Sequence, residues 1–98
     1  MQREEFITKV KEIKSPESLA AQKKHIKDNA RGVDEDVSIC IGELSELILE
    51  LTRYQRNKMD YWDVLQELSH VQWAVYRLQG IFGIQDEDIR KGIQASFR

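Results

Sequence analysis

Apolar residues recur along this chain at the three- and four-residue steps of an α-helix. Two runs are long. In the first, Val37, Cys40, Ile41, Leu44, Leu47, Ile48, Leu51 and Tyr54 form one stripe, which predicts a helix from about Asp34 to Asn57. In the second, Val64, Leu68, Val71, Val75, Leu78 and Phe82 predict a helix from Tyr61 to about Phe82, with Asp60 as its cap. The short connection at Lys58–Asp60 makes the two antiparallel neighbours. Phe6, Ile7, Val10 and Ile13 predict an N-terminal helix. Leu19, Ala20 and Ile26 give a second helix a weak apolar side, with Ser15 as its cap and Pro16 at its first position. Gly32 then fits a C-cap, and Asp34 the start of the first long helix. After a turn at Gly83, Asp86 opens a last helix that carries Ile89, Ile93 and Phe97. The expected fold is all-α: one domain over residues 1–98, a bundle of four to five helices around two long antiparallel central ones.

Composition narrows the partners. A chain of 98 residues is too short for two independent cores. Its net charge of −2, with basic and acidic residues mixed, supplies no field for nucleic acid. No run approaches the ~18 apolar residues of a membrane helix, so no membrane partner is expected. The one cysteine, Cys40, excludes an internal disulfide framework and fits a reducing, cytoplasmic setting. Lying in the stripe, Cys40 reads as a small buried apolar residue.

The second long helix is apolar on two sides. Trp62 and Trp73 fall away from its stripe, with Tyr76 near them in angle. Such a helix is buried on both faces, which predicts packing or self-association as a homodimer or higher homo-oligomer. The competing use of a tryptophan here is stacking on a nucleobase.

Chemistry enters with two polar pairs. "GELSELILE" sets Glu43 and Glu46 three residues apart, and "QELSHV" does the same with Glu67 and His70. Three residues is nearly one turn, so each pair points one way beside its stripe. Glu67 lies inside the stripe's edge, where a carboxylate is costly unless something pairs it. Two such pairs on packed helices can hold a divalent metal, although either alone is a common solvated pattern.

With these residues in view, the segment from about Ile41 to Ile84 resembles the MazG-like all-alpha nucleoside triphosphate pyrophosphohydrolases. Their signature is Glu-x-x-Glu, a spacer, then Glu-x-x-Asp. "ELSE" matches the first half and "ELSH" occupies the second, while "RYQR" and "GIFGI" resemble the flanking segments. The resemblance implies a metal-dependent hydrolase that converts a (d)NTP to (d)NMP and pyrophosphate. It implies Glu43, Glu46 and Glu67 as catalytic and metal-holding residues, His70 as a fourth ligand, and Mg²⁺ as cofactor. Arg53, Arg56 and Lys58 are candidates for the triphosphate, although basic residues there also suit the end of a helix.

Three departures alter that expectation. His70 stands where the family has Asp, Gly42 and Gln66 stand where a Glu often precedes each motif, and the last helix is poor in the family's basic spacing. An imidazole among the ligands shifts preference from Mg²⁺ toward Mn²⁺ or another divalent transition metal. The alternatives are a catalytically decayed dimeric binding or regulatory bundle and a purely structural helical protein.

Overall fold

The computed structural model describes residues 1–56 and 60–98, and within them every element is an α-helix. In chain order these are α1 (Arg3–Glu12), α2 (Leu19–Asp28), α3 (Val33–Gln55), α4 (Tyr61–Phe82) and α5 (Asp86–Phe97). The five helices agree with the all-α expectation, and both long helices end within two residues of their expected limits. Asn57 and Lys58 lie outside the described residues.

The pairing of α3 with α4 is antiparallel. Asp36 bonds Arg77, Cys40 Sγ donates to the Ala74 carbonyl at 3.4 Å, and Glu43 meets His70, so numbers rise on one helix as they fall on the other. Cys40 and Ala74 are both fully buried at this contact, and their small size lets the two backbones approach. That fixed register decides which polar groups on α3 face which on α4.

Local chemistry ends the helices. Asp60 and Asp63 form a capping box at the start of α4, each side chain accepting from the other's backbone N–H. Arg3 donates to both carboxylates and so fastens α1 to the same end. At the far end Gly83 takes a left-handed φ of +65° and closes α4, which needs a residue without Cβ strain.

Two expectations about caps are corrected. Ser15 and Pro16 do not open α2; Ser18 does, its hydroxyl accepting from the Ala21 N–H at 3.1 Å, so Pro16 lies in the connection before the helix. Ser18→Ala is expected to lower stability by about 1 kcal/mol, read as a shift of the denaturant midpoint. Gly32 does not cap α2, whose C-cap is Asn29. With φ +112° it is instead the N-cap of α3.

The tryptophan face is covered from within the chain. α1 packs beside Trp62, with Lys11 Nζ 5.6 Å from its ring, and α2 lies over the Trp73 and Tyr76 side of α4. The apolar stripe behaves differently: Ile41, Leu44, Ile48, Leu51, Tyr54, Leu68 and Phe82 are all exposed. Among the described residues, Ile26, Cys40 and Ala74 are the buried apolar side chains. Among those residues, no helix is long and apolar enough to cross a membrane.

Candidate metal centre

Antiparallel register brings the two polar pairs together. Glu43 and Glu46 stand one turn apart on α3, opposite His70 and Glu67 on α4. One ligand atom from each of the four lies within 4.8 Å of the others. Donors around a single ion at 2.0–2.2 Å sit up to about 4.2 Å apart, so closing on a cation asks only a small inward movement of side chains.

The burial of these groups is the informative part. Glu43 Oε2, Glu67 Oε2 and His70 Nδ1 are buried, and each lacks a hydrogen-bond partner among the described residues. His70 Nδ1 is 3.1 Å from Glu43 Oε2, but the two are not aligned for a hydrogen bond. Buried polar atoms are almost always satisfied, because an unpaired one forfeits its hydration for nothing. Three such atoms converge on one point, which makes the cluster a candidate site for a cation. Glu46 is the exposed member of the four.

Electrostatics agrees with the geometry. The Glu67 carboxyl is pushed above its ordinary pKa, chiefly by burial; His70 opposes the shift, and Glu46, Glu50 and Glu43 add to it. Carboxylates gathered in a partly dry site repel one another until a cation compensates them. Metal affinity is therefore expected to fall as pH falls through the raised range of Glu67, because the ion binds only its ionised form. A metal titration followed by calorimetry between pH 7 and pH 5 checks this, and an affinity independent of pH would place the ion elsewhere.

The repulsion includes a residue outside the four candidate ligands. Glu50, one turn beyond Glu46, is largely covered and takes a 2.7 Å bond from Arg53. Its angle between Glu43 and Glu46 on the helical wheel was the available signal. Arg53 is thus engaged with a carboxylate at the edge of the cluster, Arg56 is exposed at the C-cap of α3, and Lys58 lies outside the described residues.

A second buried polar set lies two turns away. Asp36, with no exposed surface, accepts from Arg77 Nε at 2.9 Å and pairs with its Nη2 at 2.8 Å. The Arg31 backbone N–H donates to the same carboxylate, Arg77 also donates to the Asn29 carbonyl, and its guanidinium stacks on Trp73 at 4.3 Å. Every part of this set has a partner. It is a clasp between α3, α4 and the α2–α3 connection, and it differs from the Glu/His cluster in that respect. No protein-family model, curated protein or solved structure matches the chain.

Proposed function

We propose that the chain is a divalent-cation-dependent nucleoside triphosphate pyrophosphohydrolase of the MazG-like kind, cleaving a (d)NTP between its α and β phosphates. The single observation that carries this reading is the convergence of Glu43, Glu46, Glu67 and His70, with three buried ligand atoms unpaired among the described residues. The order of "ELSE" and "ELSH" on consecutive helices supports it. Among the described residues the donor set is three carboxylates and one imidazole, which fits Mn²⁺ or a similar transition metal as well as Mg²⁺.

A bound divalent cation supplies neutralisation of phosphate charge and a more acidic water. The chain supplies the rest. Glu43, Glu67 and His70, being covered, are suited to holding the ion. Glu46 is exposed and can take the proton of a water attacking the α-phosphorus, from which pyrophosphate departs. Arg56, exposed at the end of α3, is available to the departing phosphates, and Arg53 can serve them if it leaves Glu50.

A second reading keeps the fold without the hydrolysis, as a binding or regulatory bundle. It is favoured by the 3.1 Å approach of His70 to Glu43, which a small rotation would turn into a hydrogen bond that uses up two ligand atoms.

The test is a panel of ribo- and deoxyribonucleoside triphosphates, scored for monophosphate and pyrophosphate with Mg²⁺ or Mn²⁺ present. Metal-dependent release from wild type, reduced to background in Glu43→Gln, is the expected result. A metal-induced rise in melting temperature with no pyrophosphate from any substrate would leave the non-catalytic reading.

A further inference from the structure

α2 covers its side of α4 only in part. Its buried residue is Ile26, while Gln22, one turn earlier, is polar and exposed and does not fill the space against α4. A cleft of about 580 Å³ is left between the two helices, within the roughly 300–1,000 Å³ of small-molecule sites. Ile26, with the half-buried rings of Trp73 and Tyr76, supplies its apolar lining. At about 100° per residue, Gln72 and Tyr76 turn to the side of α4 opposite Glu67 and His70. The cleft is therefore separate from the Glu/His cluster.

The polar groups at the cleft are of one chemical kind. Gln22 brings a carboxamide from α2 and Gln72 brings another from α4, both exposed. A carboxamide donates through its N–H groups and accepts through its oxygen, so it pairs edge to edge with another planar amide.

The charges define what the cleft excludes. The Trp73 ring already has the Arg77 guanidinium at 4.3 Å, and the Tyr76 ring has Lys23 Nζ at 4.9 Å. Each ring thus spends its quadrupole on a cation of the chain, which leaves little attraction for a cationic ligand. An anionic ligand would meet the carboxylate of Glu17, which also lines the cleft. A flat, neutral ring with hydrogen-bonding groups on its edge meets neither obstacle.

We infer that this cleft binds an uncharged planar ring that carries an amide, either within the ring as a lactam or on it as a carboxamide. The ring lies against Trp73 and Tyr76, where aromatic area supplies the affinity, and its amide edge pairs with Gln22 and Gln72, which fix its orientation. Glu43, Glu46, Glu67 and His70 take no part, so the site stands whether or not the chain hydrolyses nucleotides.

The test follows the backbone, carboxamide and indole N–H resonances of the isotope-labelled full chain, in chelator, as a ligand is added. Uracil is the lactam probe and nicotinamide the carboxamide probe. Benzyl alcohol, a ring without an amide, is the control. The expected result is a saturable shift of the Trp73 indole and of the Gln22 and Gln72 carboxamides, with the Trp62 indole unmoved. Benzyl alcohol should bind roughly tenfold more weakly, and so should the better probe with the double variant Gln22→Leu and Gln72→Leu. Both positions are exposed, so the variant should keep the helix content of wild type. Ser69→Trp, which fills the cleft from another exposed position, should abolish the shift. Binding of uracil alone or of nicotinamide alone supports the inference and names the amide. No saturable shift with either probe overturns it, as do shifts centred on Glu43 and Glu67. Equal binding of benzyl alcohol, or of the double variant and wild type, also overturns it, because the amide edge would then count for nothing.

Discussion

Arg77→Met is expected to lower the stability of the fold by about 3–5 kcal/mol, the cost of leaving one member of a buried ion pair without the other. Asp36 has no exposed surface, and its two oxygens divide their bonds between Arg77 and the Arg31 backbone. Methionine fills much of the arginine's volume, so the loss is one of charge compensation more than of packing. The double variant Asp36→Leu with Arg77→Met should cost much less than Arg77→Met alone, because it removes the stranded charge. Its residual cost comes from the Arg31 N–H and the Asn29 carbonyl, which lose their partners. Denaturant midpoints of the wild type, Arg77→Met, Asp36→Leu and the double variant, taken at one protein concentration, measure the coupling. A loss below about 1 kcal/mol for Arg77→Met would mean that Asp36 has found water.

The same clasp bears on the candidate metal centre. Asp36 is seven residues, two turns, before Glu43, and Arg77 is seven after His70, so one antiparallel register satisfies both sets. A slip of one turn along α4 would carry His70 and Glu67 away from the carboxylates of α3. The buried ion pair therefore specifies the alignment that brings Glu43, Glu46, Glu67 and His70 together, whatever it contributes to stability.

How much of this was legible in the sequence differs from residue to residue. The limits of α4 were readable because Asp60, Asp63 and Gly83 end a helix by local chemistry that involves no other element. Ser15 reads as the cap before α2, whereas the chain's path gives that place to Ser18. Glu43, Glu46, Glu67 and His70 could be singled out because a three-residue spacing turns two side chains the same way. Their convergence across helices depends on register, which no single helix encodes. Asp36 was missed for a related reason. It falls at the angle of the apolar stripe, where an acidic residue is a signal only if its partner on α4 is known, and Arg77 stood among polar neighbours. The stripe itself was readable as apolar. Which half of it α4 covers, and which half is left bare, is a property of the packing.

Glu67→Gln should reverse sign with metal. The carboxyl of Glu67 has a raised pKa in the folded chain, so the native state favours its protonated form. Its contribution to stability is then present below the ordinary carboxylate range and lost as pH rises through the raised value. At neutral pH the ionised, half-buried Glu67 therefore opposes folding of the metal-free protein, with Glu43, Glu46 and Glu50 adding to the repulsion. Glutamine keeps the shape and removes the charge, so Glu67→Gln should melt higher than wild type in chelator. With Mn²⁺ at 100 times its dissociation constant, wild type should gain about 2.7 kcal/mol, a rise on the order of ten degrees for a chain of this size. The variant, one carboxylate short, should gain little, so the order of the two melting temperatures inverts. Thermal melts of both proteins at pH 7, in chelator and across a Mn²⁺ series, decide it. If Glu67→Gln melts lower in chelator and both respond equally to metal, Glu67 holds the fold and the ion binds elsewhere. Inversion would mean that the cluster stores unfavourable charge in the free protein and releases it on binding, as a site built around an ion must.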